Sequence, residues 1–181
     1  NAPQISPFDE AQRARQRRDA QDALASLLER QQALEAMAVE QWAAEEYDVA
    51  IAAARRGDEF YRNTEFIQAA LAYQESDLAL AGLQQRVPAV LDRMLAAGEA
   101  ALEADDSALA LERFELALQL DPDNALAQRG LSRAQTLDEV TSLIASGLTL
   151  QASGDLQDAQ QQFEQAAALD RAHQQAAALV T

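Results

Sequence analysis

One constellation of residues recurs three times along this chain in the same order, and it restricts the fold more than any other feature. In the middle of the chain it reads Gly98, Ala101, Ser107, Ala110, Phe114, Ala117. Gly57, Phe60, Phe66, Ala69, Tyr73 and Ser76 repeat the spacing before it, and Gly147, Ala159, Phe163 and Ala166 repeat it after. Small residues at helical intervals let two antiparallel helices approach closely, and the aromatic fills the space between them. Each copy also holds a turn signal between its two apolar stretches: Arg62-Asn63-Thr64, Ala104-Asp105-Asp106-Ser107 and Gly154-Asp155. Ala, Leu, Gln, Glu and Arg dominate the chain, while 6 Gly and 4 Pro are all that interrupt 181 residues. That balance favours helix nearly throughout and argues against a sheet. The expected class is all-α.

Residues 1–7 hold two prolines and little periodicity, so a frayed entry is expected there. A long N-terminal amphipathic helical region follows over 8–49. Ala20, Leu24, Leu27, Leu28, Leu34 and Met37 mark its apolar side, and no helix breaker stands between Phe8 and Ala38. The pattern continues through Trp42 and Tyr47 to about Arg62. Arg13, Arg15, Arg17 and Arg18 read as a solvated face interleaved with Asp9, Glu10 and Asp19, in preference to a dock for acidic lipid. Trp42 reads as a core filler in preference to an exposed partner anchor. Gly57 lies inside a helix, where it costs about 1 kcal/mol relative to Ala unless close packing compensates.

Asn63 or Thr64 is expected to cap the next helix, and Asp106 or Ser107 the one after. Val87-Pro88 is expected to end one helix and begin another. Residues 125–139 are expected to extend the following helix into one rod, because no Gly or Pro breaks the join; a capping box at Thr136–Glu139 is the alternative. Residues 172–181 read as the opening of a further helix.

The central stretch, 91–124, is thirty-four residues long and closes with Leu118 and Asp121-Pro122. With its small residues at 97, 98, 110 and 117 and its aromatic at 114, it resembles a tetratricopeptide (TPR) repeat. Degenerate copies fall at about 50–83 and 140–173, so the whole of 50–181 is similar to a TPR domain. Ala69, Ala110 and Ala159 are 41 and 49 residues apart. Hairpins joined by longer helices are therefore expected in place of a regular superhelix. The resemblance implies a long N-terminal helix followed by about three antiparallel hairpins in a short solenoid, serving as a protein-binding scaffold or adaptor and not as a catalyst.

In TPR domains the first helix of each repeat lines a concave groove. The matching positions here are Ile51, Ala54, Asp58, Tyr61 and Arg62, then Asp92, Leu95, Glu99, Leu102 and Glu103, then Thr141, Ile144, Leu148, Gln151 and Ala152. The TPR subclass that clamps a terminal carboxylate needs Lys, Asn and Arg where this chain has Leu95 and Glu99, so that activity is not implied. The groove reads as mixed apolar and acidic, suited to an extended or helical segment with a few apolar anchors and flanking Arg or Lys.

The formal charge of −16 disfavours nucleic acid and anionic membrane surfaces as partners. Without cysteine the chain has no disulfide and no thiolate metal site. The lone histidine, His173, reads as a surface helix residue, which leaves nothing for a His-based triad or zinc site. Asp121, Asp123 and Asn124 lack the Gly and distal Glu of a calcium loop and read as a capping turn. No cofactor, metal or catalytic residue is expected. The chain opens Asn1-Ala2 without an initiator Met and stops within a helical pattern, and no apolar run is long enough to span a bilayer. A vector-derived start is therefore expected, and with the Ala/Arg/Gln-rich usage and the N-terminal helix the expectation is the soluble, periplasmic part of a membrane-anchored bacterial envelope protein. The alternative function is a self-associating spacer, a homo-oligomer assembled through the N-terminal helix.

Overall fold

The computed structural model describes residues 6–180, and every regular element among them is helical. These are α1 (Pro7–Ala36), α2 (Val39–Arg62), α3 (Phe66–Glu103), α4 (Ser107–Leu120), α5 (Ala125–Ser153), α6 (Leu156–Leu169) and α7 (Gln174–Leu179). They belong to two compact units that divide between Val90 and Leu91. No described helix is long and apolar enough to cross a membrane.

The first unit is built from α1, α2 and residues 66–90. Of the frayed entry expected over 1–7, residues 1–5 lie outside the described residues. Ser6 caps α1 by accepting the Asp9 N–H, and Pro7 opens its first turn, where the missing N–H costs nothing. The buried face of α1 is the seven-residue series Ala20, Leu27 and Leu34, packed against Tyr47 and Ala50 of α2 and Ala69, Tyr73 and Leu80 of α3. Leu27 takes the inward position, so Leu28, read as part of the same stripe, stands 51% exposed.

The uninterrupted helical run expected across residues 8–62 is broken at Met37-Ala38, where Ala38 turns left-handed at φ 51°. No glycine or proline dictates this break; folding back lets the α1 stripe be buried, and that outweighs local helix preference. Trp42 is half-buried on the same core, as read from the sequence, and its indole N–H donates to the Met37 carbonyl at 2.9 Å. The Tyr47 hydroxyl donates to Glu35 Oε1 at 2.6 Å. Burial, and then this bond to a carboxylate, push the Tyr47 phenol well above its usual range.

The same Tyr47 bond, helped by Gln31, holds the Glu35 carboxyl below the usual carboxylate value. A group depressed in the folded state adds stability above its unfolded value and loses it as pH falls through its folded value. Acidification below about pH 4.5 is therefore expected to loosen the α1–α2 turn, read as a fall in thermal midpoint that is smaller in Tyr47→Phe.

Three helical hairpins follow one local plan. In the turns at 63–65, 104–106 and 154–155 the left-handed position is Thr64 (φ 61°), Asp105 (φ 57°) and Gly154 (φ 93°). The next N–H reaches back to the same place each time: Glu65 to the Phe60 carbonyl, Asp106 to Ala101 and Asp155 to Leu150, at 2.9, 2.9 and 3.0 Å. Asp106, one of the two expected caps, accepts the Leu109 N–H. At the first turn neither expected cap serves, because Asn63 ends α2 and Thr64 is left-handed, which leaves Glu65 in the position before α3.

The glycine of each copy meets its aromatic. A Cβ at Gly57 would lie 2.5 Å from the Tyr73 ring and one at Gly98 2.7 Å from Phe114, while one at Gly147 would press still closer on Phe163. The close packing needed to offset Gly57 is thus present, and it recurs in all three copies.

Pro88 does not separate two helices as expected; it lies inside α3, which runs through it. A proline there removes the bond to the Gln84 carbonyl, but Gln84 and Pro88 are both exposed, so water can satisfy that carbonyl. Pro88→Ala should restore the bond and raise stability by about 1–2 kcal/mol in urea unfolding.

The second unit holds residues 91–103 of α3 together with α4 to α7. The join at 125–139 is continuous, since α5 is one helix of 29 residues ended by Gly154. It packs along both α4 and α6, and α7 closes against α6 and α5. Gly130 of α5 meets the Phe114 ring as Gly98 of α3 does, and a Cβ added at Gly130 would overlap the ring more severely than one at Gly98. Phe114 is therefore clasped between two glycines and fully buried.

Candidate functional site

Within the second unit the C-terminal end of α3, the turn after it, Arg133 in the first third of α5 and the start of α7 surround a cleft of about 780 Å³. Its rim is polar. Arg133 of α5 donates through Nη1 to Glu99 of α3 at 3.1 Å and through Nε to Asp170 at 3.0 Å. Asp170 ends α6 and is 5% exposed; its other oxygen accepts the Ala172 N–H, which fixes the α6–α7 turn.

His173 is the N-cap of α7. Its Nδ1 accepts the Ala176 N–H at 3.3 Å, and its Nε2 faces Asp105 Oδ1 at 3.0 Å. In the neutral ring an accepting Nδ1 places the proton on Nε2, so the imidazole donates to Asp105. The expectation of a surface histidine is corrected: His173 is buried at 7% exposure and ties the α6–α7 turn to the α3–α4 turn. The register carries a signal for this, because His173 falls 49 residues after Asn124. Asn124 caps α5 by accepting the Leu126 and Ala127 N–H groups, so Asp121, Asp123 and Asn124 form a capping turn. Among the described residues no group of three or more His, Asp or Glu is placed to hold a metal ion.

Of the residues assigned to the groove, Glu99, Leu102 and Glu103 meet in this cleft. Leu102 is nearly buried and forms its floor, while Glu103 is exposed and has no ion-pair partner among the described residues. Asp92 and Leu95 lie further up the same helix, exposed and half-buried, and do not line the cleft. Ile144 is corrected: it is buried in a cluster with Val140, Ala166 and Ala176 and is not offered to a partner. Leu148 is 39% exposed, outside the cleft.

Asp58 and Tyr61 belong to the first unit, where side chains of α1 already engage their neighbourhood. Tyr61 accepts from Arg17 and Gln21 of α1, Asp58 accepts the Tyr73 hydroxyl at 2.7 Å, and Leu24 lines the same small pocket. Asp105, Arg133, Asp170 and His173 escape sequence reasoning, because they come from a turn, a helix join and a helix end that no repeat pattern marks as groove.

The cleft is lined by three carboxylates, Glu99, Glu103 and Asp105, and one guanidinium, Arg133, whose Nε also binds the buried Asp170. Arg133 sets one positive charge against Glu99 and Asp170, and a neutral His173 ring adds none beside Asp105, so the cleft stays net negative; Glu103 is its lining carboxylate without an ion-pair partner among the described residues. Such an arrangement can hold a cationic side chain at its mouth. In comparisons with protein-family models, curated proteins and solved structures, the chain matches none.

Proposed function

We propose that this protein is a non-catalytic interaction module whose second unit holds a partner segment in the cleft beside Glu103, and that its hairpins are TPR-like. The observation that carries the reading is the meeting of Glu99, Leu102 and Glu103, three positions that the repeat register assigns to a groove, at one acidic cleft. The glycine–aromatic contact and the turn geometry, repeated at that register, support the family resemblance. The favoured partner is a protein segment with an Arg or Lys directed at Glu103 and a small apolar residue toward Leu102 and Ala172.

Affinity capture with the native chain beside Glu103→Arg tests this. Glu103 makes no ion pair among the described residues, so reversing it leaves the Arg133 network intact, unlike a change at Glu99. A partner held by the native chain should be lost, or weakened at least tenfold, by the variant. Equal retention by both would remove the cleft from the binding surface.

A further inference from the structure

We infer that α1 exchanges between two copies of this chain: the Met37-Ala38 turn straightens, α1 and α2 join into one helix, and each α1 docks on the α2–α3 face of the other copy. At this turn the local sequence and the observed backbone disagree. Residues 34–43 read Leu-Glu-Ala-Met-Ala-Val-Glu-Gln-Trp-Ala, a run of helix formers without Gly, Pro, Asn or Ser. Ala38 nevertheless sits at φ 51°, ψ 44°, a conformation that brings an alanine Cβ too close to the following carbonyl. Ala43, five residues on, also departs from helical angles, at φ −152° and ψ 41°. Straightening would return both to the helix, giving a rod of about 80 Å.

The contacts that dock α1 do not require its own α2 and α3. Ala20, Leu27 and Leu34 fill a surface of Tyr47, Tyr73 and Leu80. Arg30 reaches Asp77 at 2.7 Å and Gln84 at 2.6 Å, while Arg17 and Gln21 reach Tyr61. All of these can be remade between copies without change, so the exchanged pair keeps the interface and sheds the strained turn. The Trp42 bond to the Met37 carbonyl is local to the turn and opposes opening; the straight helix offers that carbonyl the Gln41 N–H in its place. The occupant is a second copy because the complementary surface is this chain's own α1.

A disulfide can report which copy's α1 is bound, since the chain has no cysteine of its own. Ser26 Oγ of α1 lies 3.5 Å from Asp77 Oδ2 of α3, so Ser26→Cys with Asp77→Cys links α1 to whichever α3 it covers. The full chain is refolded from denaturant over a range of concentrations, oxidised, and resolved without reductant. The expected result is an intrachain link at low concentration and a growing interchain-linked dimer at high concentration. Adding Ala38→Gly should raise the concentration needed for dimer by roughly a hundredfold, because glycine accepts the left-handed turn and disfavours the straight helix. Ala38→Val should lower it, because a β-branched residue is least tolerated at positive φ. Glycine relaxes the turn, so its loss of dimer would not come from misfolding. Only intrachain links at every concentration, in both the native hinge and Ala38→Val, would overturn the inference. So would a dimer indifferent to Ala38→Gly, which would show association through another surface.

Discussion

Phe114→Ala is expected to destabilise the second unit by about 3–5 kcal/mol in urea unfolding followed by helical circular dichroism. The cost of removing a buried ring depends on how far its surroundings collapse into the space it leaves. Here Gly98 and Gly130 lie against the ring, and they have no side chains to move inward. The backbones of α3 and α5 would have to approach α4 themselves, and both are held by further packing, with Ala101, Ala127 and Ala134 all at 3% exposure or less. The cavity should therefore persist.

The same contact predicts a coupling. Gly130→Ala drives a methyl into the ring and should be costly beside Phe114, yet mild beside Phe114→Leu, with a coupling energy of about 1–3 kcal/mol. A loss below about 1 kcal/mol for Phe114→Ala would mean that the ring does not hold the three helices together.

The second large effect is expected at Arg133. Arg133→Ala leaves Asp170 as a carboxylate with 4% of its side chain exposed and no cation beside it. Breaking a buried pair from one side costs about 3–5 kcal/mol; Arg133 is itself 26% exposed, which reduces the loss to about 2–4 kcal/mol. The companion pair behaves differently, because the Glu99 side chain is half-exposed, and Glu99→Gln should change stability by less than about 1 kcal/mol. Removing both partners, Arg133→Met with Asp170→Asn, should recover most of the loss, since no uncompensated buried charge remains. If the double variant is as unstable as Arg133→Ala, then Arg133 acts through its packed stem and not through the ion pair.

What the sequence makes legible here follows from periodicity. The glycine–aromatic spacing locates the three hairpins that turn after α2, α3 and α5, and the absence of breakers between Gly130 and Gly147 makes α5 one helix. Two readings fail where tertiary burial overrules local signals. Proline marks a helix boundary when its lost hydrogen bond is buried, but Gln84 and Pro88 are both exposed residues and the helix continues. Conversely, Met37-Ala38 carries no turn signal, and only the burial of Ala20, Leu27 and Leu34 accounts for the reversal.

The site divides along the same line. Glu99, Leu102 and Glu103 share one helix face and can be read from spacing, whereas their neighbours Arg133, Asp105 and His173 are brought to them by the stacking of two hairpins. Spacing misplaces Ile144 because its position in the register matches a groove position, while the α6–α7 end folds over it.

A partner segment held as proposed would cover the backbone beside Glu103. Amide hydrogen exchange on the complex of the native chain with its captured partner reads this directly. Protection should rise at 99–106 and at 172–176, the backbone that borders the cleft, and should leave α1 unchanged. Protection confined to α1, or to the exposed face of α3 at Ile67, Leu71 and Leu78, would contradict it.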